Sequence, residues 1–209
     1  MSFNIAIIDY EMGNLKSIYK CLKYLGVASS ITSKAKIIIN SNGVILPGVG
    51  AFGDAIKHLT DKKLMDIIYQ IAEDGKPLFG ICLGLQLLFS RSYEMGAFKG
   101  LNLIKGDIVS FDISKVHKIP HIGWNSVNFQ DKSHFLIQGI PNNSYFYFVH
   151  SFYGIPENQE NILGLTKYGE ITFSSMISKD NIVATQFHPE KSSKYGIKMY
   201  RNFIDFCKK

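Results

Sequence analysis

Residues 76–90 read KPLFGICLGLQLLFS, and this stretch carries the strongest indication of the fold. The short apolar run Leu78–Ile81 is typical of a strand that is buried on both faces. The residues from about Gly84 to Ser90 predict a helix. Cys82 lies between the two elements, in the pattern Gly-x-Cys-x-Gly. The stretch therefore predicts a buried strand that turns at once into a helix, with a thiol at the turn.

The same alternation of apolar strands and amphipathic segments recurs through the first half of the chain. We predict strands at Phe3–Ile8 and Val44–Leu46, a helix at Met12–Leu25, and one or two helices within Ala55–Ala72. Such alternation indicates an α/β fold, with a mainly parallel central sheet and helices on both faces. Loops that follow strands in such a sheet form sites at one edge. Three loops do so here, namely Asp9–Asn14, Pro47–Gly53 and Gly80–Gly84.

The second half of the chain has a different pattern. From Gly106 to about Thr185 it contains mostly short β-like runs, which predicts an antiparallel-rich second half. The clearest of these runs are Tyr145–Phe152, Ile171–Ile177 and Ile182–Phe187. A final helix is predicted at Lys194–Cys207, where apolar residues recur at helical spacing. Because no long linker or internal repeat interrupts the chain, we expect residues 1–209 to form a single domain.

Composition and charge exclude several classes of function. The chain has 209 residues, 46% of them hydrophobic, and a formal net charge of +6. Its lysines are scattered rather than clustered with stacking aromatics, so we expect no binding to nucleic acid. No uncharged apolar run reaches the eighteen residues of a membrane span. We therefore expect no membrane association.

The cysteines and the first residues indicate a compartment. The three cysteines are widely spaced and form no Cys-x-x-Cys pair, which argues against a disulfide framework and against a zinc site. The start, MSFNIAIIDYE, lacks the basic segment of a signal peptide. We expect a cytoplasmic protein that needs no metal and no cofactor.

Cys82 has two interpretations. An isolated cysteine in an apolar run is most often a buried packing residue. Gly-x-Cys-x-Gly, however, has the form of the Gly-x-Ser-x-Gly nucleophile elbow, in which flanking glycines leave room for a strained turn. A helix N-terminus there would favour the thiolate, and the amide of Leu83 could stabilise an oxyanion. The glycines make the nucleophile a serious hypothesis without deciding it.

Two further segments could complete such a site. In the sequence QFHPE, Glu190 follows His188 by two residues and could orient its imidazole as a base. The alternative is a histidine at a strand end beside an exposed glutamate. The loop PGVG, at 47–50, is either a plain turn or a source of further oxyanion amides. Together these residues indicate a cysteine hydrolase or amidase of α/β type.

Three segments, PGVGAF at 47–52, GICLGLQ at 80–86 and QFHPEKS at 186–192, together resemble the class I glutamine amidotransferases, and the resemblance covers nearly the whole chain. Within that class the chain is most similar to the glutaminase subunits of imidazole glycerol phosphate synthase. The residues behind that choice are IDYEMGN at 8–14, PGVGAF at 47–52, PHIGWN at 120–125 and HSFYG at 150–154. The resemblance implies that glutamine is hydrolysed to glutamate and ammonia through a cysteine thioester.

The resemblance also implies roles for individual residues. Cys82 would attack glutamine, His188 would relay protons and Glu190 would orient the imidazole. Oxyanion amides would come from Leu83 and from Val49 or Gly50. The implied glutamine-binding residues are Gln86, His150, Ser151 and Phe152.

A partner is implied as well. In such enzymes ammonia passes to a (β/α)₈-barrel cyclase subunit of a heterodimer in histidine biosynthesis. The residues implied to face that partner are Asn14, Trp124, Asn125 and Lys191; for Trp124, the only tryptophan, a place in the core is the competing interpretation. Two other hypotheses stay open. One is a paralogue that supplies ammonia for amidation of a surface-sugar precursor, and the other is a scaffold that has lost activity.

Overall fold

The structure, a computed structural model, describes residues 3–209. Its strands are β1 (Ile5–Ile8), β2 (Ser29–Thr32), β3 (Gly43–Leu46), β4 (Leu78–Ile81), β5 (Phe89–Ser92), β6 (Phe98–Lys99), β7 (Ile104–Ser110), β8 (His121–Phe129), β9 (Ser144–His150), β10 (Phe152–Pro156), β11 (Ile162–Tyr168), β12 (Ile171–Lys179) and β13 (Ile182–Thr185). Its α-helices are α1 (Leu15–Tyr24), α2 (Ala35–Ile39), α3 (Phe52–Asp61), α4 (Met65–Glu73), α5 (Leu83–Leu87) and α6 (Ser193–Phe206). Short 3₁₀ turns occur at Phe135–Ile137, Gln159–Asn161 and Pro189–Lys191.

One continuous sheet contains all of these strands. The order β2-β1-β3-β4-β13 is parallel throughout and forms the centre of the fold. Beyond β13 the pairings are mostly antiparallel, through β12, β10 and β7, with β11, β8 and β9 branching from β12. The predicted class is thereby confirmed: a parallel α/β core with an antiparallel-rich second half.

Side chains alternate across the central strands and divide the core in two. In β1, Ile5 and Ile7 belong to one buried cluster, while Ala6 and Ile8 belong to the other. The first cluster includes apolar residues of α1 and α6, and the second includes those of α2, α3, α4 and α5. Helices therefore cover both faces of the parallel strands, as an all-buried parallel sheet requires.

Most element boundaries differ from the predictions by a few residues, and one element differs in type. The helix predicted from Gly84 to Ser90 ends at Leu87, and Phe89–Ser92 is a strand. The segment is a strand because it pairs with β7, where Phe89 lies opposite Ile104. The predicted segment Ala55–Ala72 is two helices, separated at Lys63, whose φ is 54°.

Three short elements, β2, α2 and the two-residue strand β6, were not predicted. β2 has one buried residue of four and α2 one of five, so neither has the long apolar periodicity that sequence patterns reveal. The loops after β1, β3 and β4 follow the carboxyl ends of adjacent parallel strands, as predicted. None of the helices in residues 3–209 has the length and apolarity to cross a membrane.

Candidate active site

Cys82 occupies a strained turn between β4 and α5. Its φ is 55° and its ψ is −109°, a backbone conformation that costs a non-glycine residue about 1–2 kcal/mol. The Cys82 amide donates to the carbonyl of Thr185 at 2.8 Å, which ties the turn to β13. The chain is tightly clamped, because a Cβ added at Gly84 would overlap the Leu46 carbonyl oxygen. The turn predicted from the two glycines is present, although α5 is only five residues long.

His188 and Glu190 form a buried ion pair directly after β13. The Nδ1 atom of His188 lies 2.8 Å from Oε1 of Glu190. Only 1% of the Glu190 side chain is exposed, so the interpretation of an exposed glutamate is wrong. Among the residues that the structure describes, Nε2 of His188 has no hydrogen-bond partner. That nitrogen is therefore available to a group in the adjoining cleft.

The electrostatic setting favours the protonated form of His188. Burial by itself lowers the pKa of His188, but the sulfur of Cys82 and the Glu190 carboxylate act in the opposite direction. The result is a pKa raised from 6.5 to about 10. The Cys82 sulfur and the Glu190 carboxylate thus favour the imidazolium form of His188.

The Pro47–Gly50 loop forms the opposite side of the cleft. Tyr10 is completely buried, and its hydroxyl donates to the Pro47 carbonyl at 2.7 Å. Beyond that anchor the loop is open: Val49 is 42% exposed, and Gly50 has a φ of 103°. Val49, Gly50 and Leu83 all line the same cleft as Cys82. All three residues predicted to supply oxyanion amides therefore border the thiol.

The cleft itself has a volume of about 340 Å³, which suits a small-molecule ligand. All four residues predicted to bind glutamine line it: Gln86, His150, Ser151 and Phe152. The Nε2 atom of Gln86 donates to the Phe152 carbonyl and to Oε1 of Gln186, both at 3.1 Å. Because both amide hydrogens are used in this way, only Oε1 of Gln86 is left for a ligand.

Three residues at the site were not predicted. Glu94 lines the cleft, and its Oε2 accepts from the amide of Phe52 at 2.7 Å. Nothing in the SYEMG segment distinguishes Glu94 from a surface glutamate. Gln186 lies within the segment QFHPEKS and His121 within PHIGWN, but the sequence predicts no role at the site for either residue. Their importance depends on long-range contacts that a local motif does not show.

His121 and His150 form a buried pair at the cleft, which His150 itself lines. Nδ1 of His121 lies 2.9 Å from Nε2 of His150, and Nδ1 of His150 lies 2.8 Å from the Phe152 carbonyl. A carbonyl can only accept, so His150 donates to Phe152 and accepts from His121. Burial lowers the pKa of His121 to about 4 and that of His150 to about 3. Both imidazoles are therefore neutral at pH 7.

The residues predicted to face a partner do not form one cluster of contacts. Trp124 is 52% exposed, so its core interpretation is wrong. Its ring packs on Tyr147 at 6.2 Å, and the ammonium of Lys191 lies 5.9 Å from the same tyrosine ring. Asn125 lies beside Trp124 on β8 and donates to Lys167. Asn14 is on a different element, at the start of α1, where it accepts from the Ser17 hydroxyl.

The fold places a thiol, a histidine–glutamate pair and a flanking loop at one cleft. Comparison with known protein families shows which class has this arrangement. Residues 6–206 match the family described as glutamine amidotransferase class-I. Solved structures agree on the fold: a chain of PurLQS from Thermotoga maritima gives a TM-score of 0.75 at 19% identity, covering 99% of both chains. The glutaminase domain of Trypanosoma brucei CTPS gives 0.67 at 17% identity, covering 99% of this chain and 94% of that one. The chain belongs to the class I glutamine amidotransferase family.

Sequence relatives define the branch of that family. The imidazole glycerol phosphate synthase subunit HisH of Caldanaerobacter subterraneus subsp. tengcongensis is 48% identical over 204 residues, which is 98% of each chain. The HisH subunit of Aquifex aeolicus is 46% identical, over 94% of each chain. That of Methanocaldococcus jannaschii is 47% identical, over 96% of this chain and 98% of the relative. Within the class, the chain groups with the HisH subunits.

Proposed function

We propose that this protein is the glutaminase subunit of an imidazole glycerol phosphate synthase, with residues 1–209 acting as one glutaminase domain. The observation that carries the proposal is the identity of 43–48% with eight HisH subunits over 92% or more of each of their lengths. The names of these relatives favour this assignment over the surface-sugar paralogue. The buried thiol, imidazole and carboxylate argue against an inactive scaffold.

In the proposed reaction, the Cys82 thiolate attacks the side-chain carboxamide carbon of glutamine and forms a C–S bond. The imidazolium of His188 gives its proton to the amide nitrogen, the C–N bond breaks, and ammonia leaves. Neutral His188 then takes a proton from water, which attacks the thioester. The C–S bond breaks, glutamate is released, and the thiolate and imidazolium are restored. Glu190 orients the imidazole throughout, which its 2.8 Å bond to Nδ1 supports.

Backbone amides would stabilise the oxyanion of each tetrahedral intermediate. The Leu83 amide opens α5, so no carbonyl of that helix precedes it as an acceptor. A second donor would come from Val49 or Gly50, on the exposed loop opposite. Since that loop is open, a partner that covers it could set the direction of its amides. This supports an enzyme whose full activity requires the complex.

Glutamine would lie along the cleft, with its carboxamide at Cys82. The Oε1 atom of Gln86 would accept a hydrogen bond from the substrate. The backbone of His150, Ser151 and Phe152 would hold its amino-acid end. The carboxylate of Glu94, at the same cleft, is the acidic group suited to the α-ammonium of glutamine.

The partner would be a (β/α)₈-barrel cyclase subunit that receives the ammonia in a heterodimer. Asn14, Trp124, Asn125 and Lys191 would face it. An exposed tryptophan supports this, because tryptophan is enriched at protein interfaces. We place the complex in the cytoplasm, the compartment of a biosynthetic pathway whose enzyme keeps free cysteines.

Glutamate release tests the proposal. We expect it to be low for the chain alone and to rise when the cyclase subunit and its ligand are added. Cys82→Ala should abolish stimulated release, whereas Cys207→Ala, which removes another buried thiol, should retain it. Full stimulated activity in Cys82→Ala would refute the mechanism. Failure of the parent gene to restore histidine-free growth to a strain lacking this subunit would refute the pathway.

A further inference from the structure

Gln186 is a completely buried carboxamide in contact with the nucleophile, and the proposed mechanism gives it no role. Its Nε2 atom lies 3.8 Å from Sγ of Cys82, within the range of a hydrogen bond to sulfur. Its Oε1 atom accepts from Nε2 of Gln86 at 3.1 Å. Both ends of the side chain are therefore engaged inside the active site.

The orientation of this amide follows from its neighbours. The carbonyl of Phe152 can only accept, so the Gln86 group that faces it at 3.1 Å must be the NH₂ group. The second hydrogen of that NH₂ group meets Gln186, so the Gln186 atom at that end must be oxygen. The nitrogen of Gln186 consequently faces the sulfur. The carbonyl of Phe152 thus fixes the direction of the whole chain of hydrogen bonds.

The sulfur has polar neighbours of opposite kinds. The Val149 carbonyl, 3.9 Å from Sγ, can accept from the thiol but has no proton to offer a thiolate. The Gln186 N–H group, by contrast, is a donor, so its hydrogen bond to the sulfur favours the thiolate. Cys82 is buried, and a fixed hydrogen-bond donor acts more strongly on a buried sulfur than on one in water. Gln186 is thus placed to favour the reactive form of the nucleophile.

We propose that Gln186 is a catalytic residue whose carboxamide donates a hydrogen bond to the Cys82 thiolate and holds it in the attacking position. Through Gln86 and the Phe152 carbonyl, the same chain of bonds joins the nucleophile to the segment that binds the amino-acid end of glutamine. The inference rests on the proposed glutaminase function and adds to it a donor on the sulfur. It concerns the enzyme before glutamine arrives, so it can be tested without substrate.

The test is alkylation of Cys82 by iodoacetamide, followed by mass spectrometry as a function of pH. Gln186→Met keeps the length of the side chain and removes the donor. We expect its alkylation rate at pH 7 to fall about tenfold and its half-maximal rate to move about one pH unit upward. The kcat of stimulated glutamate release should fall about tenfold or more, with KM changed by less than about threefold. Gln186→Glu, which places an acid beside the sulfur, should shift the profile further.

Thr166→Val is the matched control. It removes a buried hydroxyl that donates to Ser175 at 2.8 Å, on strands near Gln186 but away from the sulfur. We expect it to lower stability and to leave the alkylation profile unchanged. A Gln186→Met profile that coincides with that of the parent would overturn the proposal, even if kcat fell, because the side chain would then act only by packing.

A measurement on the parent protein keeps the proposal testable if these variants do not fold. The side-chain amide protons of Gln186 should shift in an NMR titration with the same pH midpoint as Cys82 alkylation, and that transition should be absent in Cys82→Ala. No shift in the parent would refute the hydrogen bond. Loss of the proposed function is a separate result, since it would show as glutamate release that persists in Cys82→Ala.

Discussion

Cys82 and the Pro47–Gly50 loop follow adjacent parallel strands, yet their surroundings differ greatly. The turn at Cys82 is held on three sides: by the Thr185 carbonyl, by the close passage of Gly84 against Leu46, and by the buried helix α5. In the loop, the hydroxyl of Tyr10 holds Pro47 and Gly48 is buried close to Leu83, but the chain then extends outward to an exposed Val49. The difference teaches that buried contacts surround Cys82, whereas the part of the loop that we propose to supply oxyanion amides is exposed, where a partner could contact it.

The largest expected effect comes from filling the space beside the turn. In Gly84→Ala the new methyl group meets backbone, which cannot move aside, so we expect a loss of more than about 4 kcal/mol or failure to fold. Gly75→Ala is the control: it has a positive φ of 71° but open space around it, and should cost only about 1 kcal/mol. Urea denaturation measures both. Similar losses in the two variants would contradict the account of a clamped turn.

Lowering the pH should destabilise the protein through the buried pair His121 and His150, and not through the Cys82 turn or the Pro47–Gly50 loop. The pKa values of His121 and His150, about 4 and about 3, lie below those of the unfolded chain. As pH falls below about 6.5, these histidines therefore bind protons in the unfolded state but remain neutral in the folded state. At pH 5 each of them lowers the free energy of unfolding by up to about 2 kcal/mol.

The measurement is the free energy of unfolding between pH 7.5 and pH 5. His121→Gln removes one titrating group, so its stability should depend less steeply on pH than that of the parent. Equal slopes for the two proteins would show that His121 is protonated as readily in the folded as in the unfolded chain.

Removing the hydrogen bond that holds Pro47 should have a smaller effect. Tyr10→Phe leaves the buried Pro47 carbonyl without its donor, which we expect to cost about 1–3 kcal/mol. Partner-stimulated glutamate release should also fall, since the loop loses its fixed point. Tyr24→Phe, at a tyrosine that is 76% exposed, should leave both quantities unchanged. Thermal denaturation and activity in the complex measure the two effects, and unchanged activity in Tyr10→Phe would show that the anchor does not position the loop.

Gly50→Ala alters the free part of the loop. Its φ of 103° disfavours alanine, and the new Cβ would lie 2.8 Å from the flexible end of Met12, so the cost in stability should be about 1–2 kcal/mol. Stimulated kcat should fall by about tenfold or more if an amide of this loop binds the oxyanion. Gly26→Ala is the control, because Gly26 also has a positive φ, 74°, but has open surroundings. It introduces similar backbone strain away from the cleft. Equal activity in the two variants would argue against an oxyanion role.

The smallest expected effect measures the strain at the nucleophile itself. Glycine accepts the positive φ of Cys82 without a Cβ penalty, whereas alanine does not. Cys82→Gly should therefore be more stable than Cys82→Ala by about 0.5–1 kcal/mol, after the larger entropy of unfolded glycine is subtracted. Paired urea titrations of these two inactive variants give the difference. An alanine variant that is the more stable of the two would mean that the turn relaxes.

The parts of the site that local chain geometry determines could be predicted from sequence. Two glycines around Cys82 indicate the turn, and the spacing of His188 and Glu190 allows their ion pair. The link from Gln86 to Gln186 spans one hundred positions and depends on the order of β4 and β13 in the sheet, which no local pattern reveals. Long-range contacts also place Glu94 at the cleft and pair Phe89–Ser92 as a strand, so neither could be predicted from a local pattern.

The order of the sheet also has a consequence for biosynthesis. β13, the last strand of the chain, inserts between β4 and β12 and precedes His188 directly. A ribosome-bound chain that has emerged only as far as β12 therefore contains Cys82 but lacks His188, the base that we propose for it, and its central sheet is incomplete. Because a segment can pack only after it has been synthesised, Cys82, His188 and Glu190 come together only once β13 and the residues after it have emerged.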